Sequence, residues 1–219
     1  ARPPKSLKEA ISGPLTNFFE RPASWAFLAL IILYKIGDAF AGSLTTAFLI
    51  RGPGFSIAEV GAINKGLGLL ATIFGALYGG LMLARLGLYR SLMIFGILQA
   101  VSNLSFMVLA YAGKVYSIMV AAVAFENLAG GMGTAAFLAF LMALCDHRYT
   151  ATQFALFSAL ASLGRIFVGP PSGYLSHEVG WVIFFFITFL AALPGLILLY
   201  KMRQNVLLLD INYDVNDKN

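Results

Sequence analysis

Five side chains that are charged at neutral pH sit inside stretches otherwise apolar enough to cross a membrane: Lys35, Asp38, Lys65, Glu126 and Arg165. Holding each at membrane depth costs at least ~2.5–3.5 kcal/mol, and such groups usually face a water-filled cavity or one another. The five therefore point to a polar route through the bilayer, and to a transporter or part of one. Three cations against two carboxylates make the route mildly positive, which favours an anion. Lys65 and Arg165 suit an anionic substrate group, Arg165 the better because a guanidinium can pair both oxygens of a carboxylate. Asp38 and Glu126 are equal candidates for accepting a proton. Lys35 and Asp38, three residues apart, form either a structural ion pair or a cavity-facing pair that binds substrate or protons. Glu126 has no opposite charge within a turn of its own helix, so its partner must come from elsewhere; Asn127 beside it joins the candidate set.

The elements that position these residues follow from composition and punctuation. The chain is 59% hydrophobic and only 11% charged, with a mean hydropathy of +0.82. Soluble domains carry roughly 25% charged residues. Apolar runs longer than ~18 residues recur, and a backbone crossing lipid must pair its own polar groups, so these runs are helices rather than strands. Six spans are predicted, at about 22–50, 56–83, 91–111, 115–144, 151–170 and 181–200. Arg51-Gly52-Pro53-Gly54 ends the first, Ser56 with Glu59 caps the second, and Pro170-Pro171-Ser172-Gly173 is expected to stop the fifth. Residues 1–20 read as a cytoplasmic linker entering from an upstream segment. They lack the pattern of a signal peptide. Their apolar residues near helical spacing fit either an amphipathic helix on the membrane surface or a solvated linker. Residues 21–203 form the bundle, and 204–219 a cytoplasmic tail or a lead to further helices.

Lys and Arg concentrate on the side of the two termini, at Arg21, Arg85, Arg90, Arg148, Lys201 and Arg203 among others, against Arg51 and Lys114 on the opposite side. This bias places both termini in the cytoplasm. Split into two triplets, the first two spans of each carry the charges and the third carries none, the pattern of a 3+3 inverted repeat around a shared midplane site. The polar groups also form stripes with small residues: Lys35, Asp38, Gly42 and Thr45; Lys65, Gly68, Thr72, Gly75 and Gly79; Glu126, Gly130, Gly133 and Phe137. Tyr34, Thr45, Asn64, Tyr78 and Gln153 are further candidates to line the route, and Tyr34, Tyr78 and Phe137 could offer rings to a sugar or simply pack in the core.

Other chemistries find little support. A net charge of +5 here reflects helix ends, not a basic surface for nucleic acid. Cys145 is the single cysteine, and no metal-ligand spacing surrounds it, so no metal or cofactor is expected beyond a proton gradient. Asp146 with His147 is the one pair that suggests an intramembrane enzyme, and it reads better as a loop pair, so no enzyme is expected. A six-helix channel working as an oligomer, and an ion-coupled carrier of some other anion, remain as alternatives.

The loop Gly80-Leu81-Met82-Leu83-Ala84-Arg85-Leu86-Gly87-Leu88-Tyr89-Arg90 resembles the signature of the major facilitator superfamily, with Ala84 where that signature has Asp. By that resemblance Gly80, Arg85, Gly87 and Arg90 form a gating loop on the cytoplasmic side. Leu33-Tyr34-Lys35-Ile36-Gly37-Asp38-Ala39-Phe40, Phe125-Glu126-Asn127-Leu128-Ala129-Gly130-Gly131-Met132-Gly133-Thr134 and Ala151-Thr152-Gln153-Phe154-Ala155-Leu156 are similar to AmpG-type muropeptide permeases. The resemblance runs to about Arg203 and implies an all-α membrane protein, six transmembrane helices forming the C-terminal half of a major-facilitator carrier. It further implies proton-driven import of N-acetylglucosaminyl-anhydromuramyl peptides across a bacterial inner membrane, for peptidoglycan recycling and β-lactamase induction. The implied partners are the N-terminal six-helix half, the bilayer and the muropeptide, with the full-length chain acting as a monomer.

Overall fold

A computed structural model describes residues 7–216, with the side chains of 12–209 other than Arg165. Among the described residues the fold is helical and has no strand: α1 (Leu7–Phe19), α2 (Ser24–Arg51), α3 (Ile57–Ile63), α4 (Leu69–Leu86), α5 (Leu88–Ala112), α6 (Tyr116–Ala143), α7 (Thr150–Lys201) and α8 (Arg203–Asn216). Five helical stretches are long and apolar enough to span a membrane: α2, α3 through α4, α5, α6 and α7.

The capping box forms as the sequence predicts: Ser56 Oγ accepts from the Glu59 N–H at 3.2 Å, while the Ser56 N–H donates to Glu59 Oε2 at 2.7 Å. Between α3 and α4 the helix widens into a π-helical turn, Asn64–Gly68, which carries Lys65. Gly87 separates α4 from α5 with φ 77° and ψ 169°, a conformation essentially reserved for glycine, which accounts for a glycine at this point of the loop.

The expected stop at Pro170–Gly173 is not there. Helix α7 continues through both prolines and leaves helical geometry at Gly180 (φ 76°, ψ 168°). Proline removes an N–H donor, but a helix held by neighbours and hydroxyl groups tolerates the loss. Pro170 and Pro171 leave the Ile166 and Phe167 carbonyls without their helical N–H partners, and Ser172 Oγ donates to the next carbonyl, that of Val168, at 2.6 Å.

Close backbone approach fixes the packing. Helix α2 lies on the second part of α7, where a Cβ on Gly37 would come within 2.6 Å of the Ala192 Cβ. Helix α4 lies on α6 through Gly75, Gly79 and Gly131; a Cβ on Gly79 would meet the Met132 Cα at 2.7 Å. Helix α5 is sandwiched by α6 and α7. Apolar side chains gather at the two ends. Phe18, Phe27, Tyr34, Phe95, Phe137, Phe140 and Phe157 form one cluster, and Phe48, Phe55, Phe106, Phe184 and Phe185 the other. A layer richer in polar residues lies between them, at Lys35–Asp38 of α2, Gln99–Asn103 of α5 and Glu126–Asn127 of α6.

Candidate functional site

The middle layer holds two groups of polar side chains. The first faces between α2 and α6, which hardly touch, since α2 packs on α7 and α6 packs on α4 and α5. Lys35 Nζ and Asp38 Oδ2 are 3.5 Å apart, with the two side chains 14% and 30% exposed. The same ammonium lies 5.6 Å from the centroid of the Phe137 ring on α6, a cation–π contact across the gap. Phe137 in turn stacks on Tyr34, centroids 5.6 Å apart and planes at 2°, and Tyr34 Oη donates to the Leu92 carbonyl at 2.8 Å. Glu126, half-buried on α6, has no hydrogen bond or ion pair among the described residues, and it lies within electrostatic range of Asp38. Lys35, Asp38, Glu126 and Phe137 are thus brought together.

The second group holds helices to each other. Thr72 Oγ1 shares its one proton between Asn127 Oδ1 (3.1 Å) and the Gly68 carbonyl (2.9 Å), and Asn127 Nδ2 donates to the Val123 carbonyl (2.8 Å). The Asn127 amide is thus tied across the α4–α6 seam through its oxygen and back onto α6 through its nitrogen. Thr45 is buried and donates to the Ala41 carbonyl at 2.9 Å. Asn64 is half-buried in the π turn, while Lys65 and Tyr78 are exposed. The Arg165 side chain lies outside the described residues. The expected gating loop is shorter than the sequence suggests: Gly80 and Arg85 lie in the last turns of α4 and Arg90 in the first turn of α5, with Gly87 alone between the helices. Arg85 and Arg90 are exposed and Gly80 faces open space.

Gln153 belongs to a different place. It is 1% exposed, at the start of α7, and its Nε2 donates to the Pro14 carbonyl (2.9 Å) and to Asn17 Oδ1 (3.3 Å) of α1. Its Oε1 accepts from the Asp146 N–H at 2.6 Å. The Asp146 carboxylate accepts from Asn17 (3.3 Å) and from Arg148 through the backbone N–H (2.9 Å), Nε and Nη2 (both 3.1 Å), and lies 3.8 Å from Arg21. The Arg148 hydrogen bonds, with its backbone N–H and charge, the Asn17 amide adding to them, hold this carboxyl down at about 2. Beside it a cavity of about 480 Å³ opens between Arg21, Phe27, Met142, His147 and Leu208. There burial pushes the Cys145 thiol up to about 11, the opposite of a reactive cysteine. Asp146 thus belongs to a docking point for α1, and His147 lines the cavity beside it. Among the described residues no cluster of His, Cys, Asp and Glu suits a metal ion.

Several apolar helices around a layer of ionised and amide groups define a multi-pass helical membrane protein. No family model matches the chain. It is, however, 56% identical over 203 residues, 93% of its length, to the anhydromuropeptide permease of Escherichia coli. It is 33% identical over 197 residues, 90% of its length, to a putative transporter named AmpG 4 of Rickettsia felis. The chain belongs to this AmpG-type transporter family. It spans 41% of the E. coli protein and 47% of the Rickettsia one, and these relatives are named as a permease and a transporter rather than as enzymes.

Proposed function

We propose that this chain is one half of a secondary transporter that imports anhydromuropeptides, with its two halves enclosing the substrate between them. The observation that carries the reading is the 56% identity, across nearly the whole chain, to a protein named for that activity. The side chains fit the role. A half-carrier should present its polar residues on an open face rather than in a closed pocket, and Lys35, Asp38 and Glu126 lie where α2 and α6 part. Such fragments carry carboxylates, which a lysine can recognise, whereas Tyr34 and Phe137, candidate rings for a sugar, are buried and stacked on each other.

In this reading Gly180 divides α7 into two spans, giving six, arranged as a 3+3 repeat in a major-facilitator half. Both termini face the cytoplasm, and the membrane is the bacterial inner membrane. The other half supplies the opposite wall, and the full-length chain works as a monomer. Protons drive uptake, with Asp38 and Glu126 as the acceptors, and Lys35, Lys65 and Arg165 hold the anionic groups. Uptake would serve peptidoglycan recycling and β-lactamase induction. Full-length protein in proteoliposomes, given labelled anhydromuropeptide with and without an inward proton gradient, tests the whole. Gradient-dependent accumulation is expected, reduced at least tenfold by Glu126→Gln and by Arg165→Ala in protein that still inserts. Accumulation without a gradient sinks the coupling, and none under any gradient sinks the substrate.

A further inference from the structure

Helix α5 carries no ionised side chain in its middle, yet Gln99 and Asn103 lie on one face of it, four residues apart, in the layer between the two apolar clusters. Gln99 is 6% exposed and Asn103 2%. Their amide nitrogens, Nε2 and Nδ2, have no hydrogen-bond partner among the described residues. A buried donor in that position has given up its hydration for nothing, and proteins relieve the imbalance with ordered water where the site offers several polar partners.

The surroundings supply those partners. The Gln99 amide fills the space that a side chain at position 133 would need, so Gly133 of α6 makes room for it. The contacts of Tyr34 with Leu92, Gly96 with Leu196 and Gly37 with Ala192 set the register of α2, α5 and the end of α7. Counted along from them, Thr45 and Thr188 fall near the level of Asn103. Thr188 is buried and donates to the Phe185 carbonyl at 2.8 Å, as Thr45 does to Ala41, so each hydroxyl oxygen keeps lone pairs able to accept. The layer thus offers unpartnered N–H donors with hydroxyl acceptors near the same level of the bundle, and no charge among the four residues. Free N–H groups repel a cation and match a neutral molecule that both donates and accepts.

We infer that Gln99 and Asn103 hold trapped water inside the bundle, in the seam between α5 and the helices packed on it. Water is a partner that moves. It lets α5 shift by a fraction of an ångström against α2, α6 and α7 without stranding an amide in apolar surroundings. The inference is independent of what the protein carries.

A density map of the full-length protein, fine enough to show other buried waters, tests it directly. Density is expected at about 2.7–3.2 Å from Gln99 Nε2 and Asn103 Nδ2. Asn103→Leu, close in volume, removes one donor. With water present it breaks a satisfied network, and the thermal midpoint falls by a few degrees. With the seam dry it removes an unpaired donor, and the midpoint holds or rises. A map that shows buried water elsewhere but none here, or a midpoint that fails to fall, overturns the inference. Should the variant not fold, the wild-type map decides.

Discussion

Replacing Asp146 by asparagine measures one charge at the point where α1 meets the turn between α6 and α7. The side chain keeps its shape and loses its ionic pull on Arg148 and Arg21. The carboxyl lies at about 2 instead of 3.8, chiefly because Arg148 donates to it. At about 1.4 kcal/mol per pKa unit, that difference sets a ceiling of roughly 2.5 kcal/mol. Asp146 is 20% exposed and Arg148 66%, so solvent screens the pair and about 1 kcal/mol is the expected loss. For a chain of roughly 150–250 residues that lowers the thermal midpoint by about 2–4 °C, and by less in a longer protein. The pH dependence has a definite sign. A carboxyl held low in the folded state stabilises fully above its unfolded pKa, and the benefit fades as pH falls through the folded value. Unfolding of the full-length protein in detergent, followed by tryptophan fluorescence, should therefore show a constant gap between wild type and Asp146→Asn from pH 5 to 8, narrowing below about pH 4. Equal midpoints at pH 7, or a gap that closes between pH 8 and 6, would refute the assignment of the charge as the source.

Neighbouring glycines should behave oppositely. Gly79→Ala drives a methyl into the Met132 backbone and should cost about 1–3 kcal/mol, while Gly80→Ala, facing open space, should stabilise by a few tenths to about 1 kcal/mol, both read from thermal midpoints. Lys35→Ala strands Asp38 in a part-buried setting, so the double variant Lys35→Ala/Asp38→Ala should be more stable than Lys35→Ala alone; a double-mutant cycle that adds without coupling would deny the ion pair its role. Ser56→Ala removes the cap of α3 and should cost about 0.5–2 kcal/mol, seen as faster hydrogen exchange in its first turn than elsewhere in that helix.

The long helices were legible because lipid leaves a backbone few alternatives, and the capping box because Ser56 and Glu59 are local. The Pro170-Pro171 stop misled because two missing N–H donors end a helix only where nothing else holds the chain; inside a bundle the packing of α7 carries the helix onward. Charge drew attention to Lys35, Asp38 and Glu126, and it hid Gln99 and Asn103, whose amides matter only once burial is known. Two amides four residues apart in an apolar run were the available signal. Gln153 illustrates a limit of another kind. Its partners, Pro14 and Asn17, lie far away in sequence, and no periodicity announces that meeting. The π turn at Asn64–Gly68 likewise has no propensity signature; it changes which way Lys65 leaves the helix relative to α4.

The bond from Gln153 to Pro14 has a mechanical side. Whatever chain segment enters α1 pulls on a short polar splice rather than on a slack leash, and the splice ends at the root of α7. Tension or torque arriving there is delivered to the long helix that bears Arg165 and the Gly180 elbow. A fusion partner or a spacer placed ahead of α1 would therefore be felt first at the root of α7.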